Sequence, residues 1–246
     1  MRALLALTRV EWLLFLRNPT MLFMALLLPS GLLLLQAYII PGTRTPLGQG
    51  GLSTMDHLVV LALVVGATSV AITNYPSSVA GYRENGVLRK LDTTPAGPFR
   101  LLLAQWIIAL ISLVAAAGLA LAIASVSFGL LAPRQPGMVL AVFVGGSVSM
   151  MALGSLIAAR AASAQIAYGV GLLVFMLSLF AAGLWTPGPL MPDALEPVVG
   201  LTPAGAMAQS LQAAWFEADV SLGPLAVFAV WTAGCALIAA RIFRWR

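Results

Sequence analysis

The sequence predicts an all-α membrane protein: six transmembrane helices, an N-terminal interfacial helix, a short charged helix on the cytoplasmic side and a hydrophobic extracytoplasmic hairpin before the sixth span. Three observations predict it. Of 246 residues, 61% are hydrophobic and only 9% charged, with a mean hydropathy of +0.99, whereas a soluble domain carries about a quarter charged residues. Apolar runs long enough to cross about 30 Å of hydrocarbon recur along the whole length, and backbone groups at that depth have no water to bond, so the runs must be helices. The charges gather at the ends of those runs. Residues 1–246 read as a single transmembrane domain.

Residues 1–18 come first. Arg2, Arg9 and Arg17 fall in a sector about 80° wide on a helical wheel, with Ala3, Leu7, Val10 and Leu14 at helical spacing opposite. That pattern suits a helix lying in the interface, its arginines toward anionic headgroups; a plain extension of the first span is the alternative. The run lacks a signal-peptide pattern, because Arg2, Arg9, Glu11 and Arg17 interrupt it and no small-residue cleavage site follows. Six spans follow, at about 20–40, 55–79, 101–125, 138–158, 164–184 and 224–241. Pro29 and Pro76 are expected to kink the first two. In the third, Ser112, Ala116, Ala120 and Ala124 recur at steps of four, a small-residue stripe that suits close helix packing.

Counting Lys and Arg orients the chain. With the N-terminus cytoplasmic, Arg2, Arg9, Arg17, Arg83, Arg89, Lys90, Arg100, Arg160, Arg241, Arg244 and Arg246 fall inside, and only Arg44 and Arg134 outside. Eleven of the 13 basic residues on one side place both termini and the 81–100 loop in the cytoplasm. The net charge of +5 is thus an orientation signal at span ends and does not imply a nucleic-acid partner. Between spans five and six, 185–223 opens WTPGPLMPDALEP, too rich in proline for a long helix. It continues PAGAMAQSLQAAWFEAD, where Met207, Leu211 and Trp215 share a helical face. A short helix dipping into the outer leaflet or packing on the bundle is expected; interfacial anchoring alone would account for the tryptophans.

Several chemistries are missing. Cys235 and His57 are the single cysteine and histidine, so neither a disulfide nor a Cys/His metal site can form within the chain, and a serine-protease base is poorly placed. Lys90, the single lysine, sits in LRKLD without the glycines of a phosphate loop. Ion-coupled carriers keep ionisable groups mid-span at about 2.5–3.5 kcal/mol each. Here Asp56 and His57 lie only at the outer mouth of the second helix. No filter-like loop or acidic ring marks a channel. No enzymatic activity is expected of the chain, and no cofactor on it. What stands out is 81–100, six charges (Arg83, Glu84, Arg89, Lys90, Asp92, Arg100) within an apolar protein. Residues 82–92 can form a short helix with Val87, Leu88 and Leu91 on one side, ended by Thr94–Pro95 and followed by a turn at Gly97 and Pro98. Such a helix could insert an apolar knob into a partner; an ordinary positive-inside loop fits the composition equally.

The run YRENGVLRKLDTTPAGPFRLLLAQ resembles the signature loop of type-2 ABC exporter permeases, matching at Arg83, Glu84, Gly86, Leu88, Arg89, Leu91, Thr94 and Pro95. VEWLLFLRNP is similar to that family's interfacial helix, whose basic-Asn-Pro step (Arg17, Asn18, Pro19) leads into the first span. The order of elements agrees along essentially the whole chain, although TPAGAMAQSLQAAW lacks the basic residue often found near the end of the family's outer helix. The resemblance implies a permease working as a dimer with an identical or paralogous copy, and the high Arg-to-Lys ratio and abundant Ala point to a bacterial plasma membrane. Two separately encoded cytoplasmic ATP-binding subunits, which hold ATP and Mg, would drive it. Tyr82, Arg83, Glu84, Gly86, Val87, Leu88, Arg89, Lys90 and Leu91 would then form the coupling helix that meets those subunits. Glu84 with Arg89 or Arg83 could also pair with the interfacial helix through Glu11. By the same analogy the pathway would run between second and fifth spans at the dimer seam. Thr68, Ser69, Thr73 and Asn74 would line it on one side, and Phe175, Met176, Leu179 and Phe180 on the other. That lining suits a lipophilic or amphipathic cargo. A drug or natural product is the first expectation, a polysaccharide or lipid the second, and an ion-coupled carrier or a non-transporting scaffold the competing classes.

Overall fold

Helix α1, Arg2–Arg17, comes first and packs mainly on the long helix Gly97–Phe128. The computed structural model describes residues 2–17, 19–23, 28–39, 54–93, 97–130, 132–184, 195–217 and 221–243. The middle of the first span (24–27), Arg44, the Thr94–Pro95 stop, Trp185 with the proline-rich 185–194, Asp219 and the terminal Arg244 and Arg246 lie outside those residues. Among the described residues every regular element is helical. After α1 come α2 (Pro19–Leu22), α3 (Leu28–Ile39) and α4 (Thr54–Thr68). A π-helical segment, Ser69–Asn74, joins α4 to α5 (Tyr75–Glu84), and α6 (Val87–Asp92) follows. Three long helices come next: α7 (Gly97–Phe128), α8 (Pro136–Arg160) and α9 (Ala164–Ala181). Short α10 (Glu196–Gly200), α11 (Pro203–Phe216) and α12 (Gly223–Ile242) complete the order.

Among the described residues, five helical stretches are long and apolar enough to cross a membrane: Leu58–Glu84, Phe99–Ser127, Pro136–Arg160, Ala164–Ala181 and Gly223–Ile242. They correspond to the expected spans two to six. The second is the axis of the bundle, since 83% of its apolar window is buried against 17% in the last span. Around it lie α3, α7, α8, α9 and α11. The small-residue stripe of α7 does pack closely: Ala120 and Ala124 join Leu58, Val59, Leu61 and Ala62 of α4 and Leu33 of α3 in one cluster. Gly97 and Pro98, expected as a turn, instead start α7, where a proline costs no hydrogen bond because first-turn N–H groups have no intrahelical partner.

The second span is not a uniform α-helix. Pro76 has no N–H to return to the Ile72 carbonyl, and the expected kink takes the form of the six-residue π segment just before it. The carbonyls of Ala71 and Ile72 then face backbone at Gly154 of α8 and Gly171 of α9, where a Cβ would sit far inside contact distance of those oxygens. Glycine is required at both places by this approach.

Helix α11 belongs to the main core. Met207, Leu211 and Trp215, the face expected from spacing, are all buried against α4 and α8. Its last carbonyls are not orphaned: Arg134 N–H donates to Trp215 O and Gln135 N–H to Ala214 O, both at 3.1 Å. The Trp231 Nε1–H of α12 donates to Leu201 O at 2.8 Å, fixing the α10–α11 corner.

Candidate functional site: the elbow after the second span and the cleft beside it

The expected single helix over 82–92 is two. α5 runs to Glu84, Asn85 N–H donates to Gly81 O (2.9 Å), and Gly86 N–H returns to Arg83 O (3.0 Å). Gly86 sits at φ 71°, the left-handed conformation that ends helices at glycine. Lys90 N–H then donates to Gly86 O at 3.1 Å as α6 begins, and the Thr93 hydroxyl donates to Lys90 O at 2.8 Å at its end. The separation matters for function. Tyr82, Arg83 and Glu84 belong to the end of the central span, and only Val87 to Asp92 form the short helix.

Within α6, Leu88 is fully buried and anchors the helix in the chain, which packs on α5 and α7. It is therefore not part of a knob offered to a partner. Val87 and Leu91 are half-buried, and Arg89 and Lys90 are exposed. The outward surface of α6 is cationic with an apolar flank.

Arg83 and Glu84 lock this elbow to the α8–α9 turn. The Arg83 guanidinium donates to Ala161 O at 2.6 Å and Ala159 O at 3.4 Å, at the C-terminal end of α8, and lies 5.0 Å over the Phe243 ring. The Glu84 carboxylate accepts from Ala164 N–H at 3.1 Å, at the first residue of α9, whose N-cap Ser163 accepts from Ile166 N–H at 3.3 Å. A cation thus meets the negative end of one helix dipole and an anion the positive end of the next. Among the described residues, Arg83, Arg89, Lys90, Arg160, the end of α12 and α1 all gather at this end of the bundle.

Glu11 meets the second span through Tyr82, not through an arginine–carboxylate pair. Tyr82 Oη donates to both carboxylate oxygens, at 2.9 and 3.1 Å, and the Gln105 amide adds a second donor. Burial between α1 and the bundle pushes the Glu11 carboxyl above the usual carboxylate range, and the Tyr82 and Gln105 hydrogen bonds partly offset that. Beside this junction a cleft of about 590 Å³ runs between α1, α5 and α7. It reaches from Glu11, Arg17 and Tyr82 along Gln105 to Asn74 and Ser112.

The expected pathway residues divide. Thr68 and Thr73 are buried inside the single chain, and their hydroxyls donate to the carbonyls one turn back, Val64 O at 2.7 Å and Ser69 O. They offer no open surface to a solute. Ser69, half-buried, donates to Gly66 O at 3.2 Å. Asn74 lines the cleft just described. On α9, Leu179 is buried and Phe175 packs on the core, while Met176 and Phe180 are exposed. Sequence reasoning passed over Gln105 and the roles of Tyr82 and Glu84. A lone amide in the run LLLAQWIIAL was the available signal for the first.

No curated protein matches the chain. A family model for the ABC-2 type transporter matches residues 2–216, covering α1, the central span with its elbow, and α11. Nearly the whole chain is spanned, and five helical stretches among the described residues are apolar and long enough to cross a membrane. The protein belongs to the ABC-2 type transporter family, the multi-pass membrane permease subunits that work with ATP-binding cassette subunits.

Proposed function

We propose that the chain is the permease of an ATP-driven exporter and that α6 is the point where force from the ATP-binding subunits arrives. The cargo is a lipophilic or amphipathic drug or natural product. ATP and Mg reside on the partner subunits, the elbow faces the cytoplasm with both termini, and two permease copies form the working unit. Helix α1 lies along the membrane interface, where exposed Leu5, Leu13 and Leu16 meet lipid next to Arg9 and Arg17.

The observation that carries this reading is the build of the elbow. A six-residue helix presents Arg89 and Lys90 outward while Leu88, Arg83 and Glu84 tie its root to the central span and to the α8–α9 turn. A push on α6 therefore reaches three long helices through short hydrogen bonds and packed side chains, without a flexible linker between them. An ion-coupled carrier finds less support. In the described spans, acidic and basic side chains lie at the ends, away from the depth where a coupling group acts.

Electrostatic matching between α6 and an acidic groove on the partner is testable by affinity purification. Wild-type chain co-expressed with its ATP-binding subunit is expected to co-purify with it. The Arg89→Glu/Lys90→Glu variant is expected to lose about tenfold or more in recovered complex, as opposed charges become like charges. Equal recovery would contradict the assignment of α6 as the contact.

A further inference from the structure

The central span is the most enclosed of the described spans, yet one of its faces opens onto the cleft between α1, α5 and α7 with hydrogen-bonding groups left over. Asn74 closes the π segment, and Asn74, Ser78 and Tyr82 follow at steps of four, which sets them on one side of the helix and along one wall of the cleft. Tyr82 is engaged, its Oη donating to the Glu11 carboxylate. Asn74 and Ser78 are not. Both are half-buried, their side chains make no hydrogen bond among the described residues, and their polar atoms keep accessible surface. Asn74 lies about 15 Å along the helix from Glu84, and Ser78 about 9 Å. In a spanning helix the deeper of the two sits below the headgroups, where lipid offers no hydrogen bond.

The walls that face these groups are mainly apolar: Leu14 and Phe15 on α1, Ile108 and Ala109 on α7. The Ser112 hydroxyl of α7 donates to Ala109 O at 2.8 Å. The two free groups define the chemistry that fits. A carboxamide and a hydroxyl each donate and accept, so their complement is a group that also does both, a hydroxyl or an amide. A full charge suits them poorly, because burying one costs far more than burying a hydroxyl. The charges on the lining belong to α1, where Glu11 is held by Tyr82 and Arg17 is exposed. At about 590 Å³ the cleft is also far larger than two bridging waters need, at about 30 Å³ each.

We infer that the cleft binds an uncharged amphipath, with its hydroxyl or amide groups paired to Asn74 and Ser78 and its apolar body against Leu14, Phe15 and Ile108. The site is apart from the outward face of α6, so the inference goes beyond the coupling assignment and does not rest on it. The same chemistry can come from a neutral membrane lipid of the diacylglycerol type or from a free hydroxylated amphiphile.

The test uses the full chain in phosphatidylcholine nanodiscs, without an ATP-binding partner. The probe is monolauroylglycerol carrying a photoreactive diazirine in its acyl chain, compared with the methyl ester of the same acyl chain, which keeps the ester and lacks both hydroxyls. Saturable labelling of α1, α5 or α7 peptides by the monoglyceride is expected, with an affinity about tenfold or more above that of the methyl ester. The double variant Asn74→Leu/Ser78→Ala removes both free groups and should lower monoglyceride affinity about tenfold. Its melting temperature should be unchanged or raised, since no hydrogen bond within the chain is lost. Displacement of the probe by added dioleoylglycerol assigns the site to a neutral lipid; persistence of labelling assigns it to a free amphiphile. Equal affinity for monoglyceride and methyl ester overturns the inference, as does undiminished monoglyceride binding in the double variant.

Discussion

Arg83 and Glu84 are neighbours in sequence, opposite in charge, and each reaches the helix end whose dipole suits it. Hydrogen bonds to charged groups contribute about 1.5–3 kcal/mol when well placed, and here they join elements some 80 residues apart in the chain. Positions of like type elsewhere in the loop do no such work: Arg89 and Lys90 are exposed. Composition could not separate the two kinds of charge, because that depends on where the α8–α9 turn lies. Glu11 shows the same limit. An arginine partner was expected, and a tyrosine and an amide supply the contact, because the end of α5 turns Tyr82 toward α1. Burial raises the Glu11 pKa in the folded chain, so the folded state favours the protonated form. That contribution to stability is full below the ordinary carboxylate range and is lost as pH rises through the raised pKa. Thermal unfolding in detergent as a function of pH is expected to show wild type losing melting temperature relative to Glu11→Gln on rising from about pH 4. Parallel curves would refute the burial argument.

At the scale of elements, the central span is shaped by one proline and two glycines. Pro76 was legible as a disturbance; the π segment that absorbs it was not, because hydropathy carries no information about which carbonyls lose their donors. Nor did it predict that α8 and α9 come close enough to cover Ala71 O and Ile72 O with Gly154 and Gly171. Such contacts resemble the Cα–H···O pairs at tightly packed helix interfaces. Gly154→Ala and Gly171→Ala should each cost about 1–3 kcal/mol by overpacking against backbone, seen as a lowered melting temperature or poor recovery from the membrane. Gly118→Ala on α7, where a Cβ meets nothing within 4 Å, is the matched control and should be neutral or slightly stabilising. The break between α5 and α6, by contrast, was readable. Asn85–Gly86 is a turn-type dipeptide, and counting apolar positions from 82 to 92 as one helix overrode it. The apolar face of α11 came directly from the spacing of Met207, Leu211 and Trp215.

Across the whole molecule, the sequence conveys most where the physics is local or one-dimensional. Among the described residues, five long apolar helices lie where the hydropathy placed them, and Arg83 and Arg160 of the grouped basic residues meet at one end of the bundle. What it could not convey is which helix becomes the axis, since apolar runs facing lipid and apolar runs facing protein look alike. That is why Thr68 and Thr73, polar residues in a membrane span, suggested an open pathway and turn out to be enclosed by their own chain. In the proposed coupling, the enclosed second span, continuous with the elbow at Glu84, would carry a push on α6 to the rest of the bundle. The central claim is that the Arg83–Glu84 clamp transmits motion from α6, and ATP-driven transport in proteoliposomes containing the chain and its ATP-binding partner tests it most directly. With Arg83→Met, partner assembly and ATP hydrolysis are expected to persist while transport per ATP falls about tenfold or more. Transport per ATP equal to wild type in that variant would contradict the account.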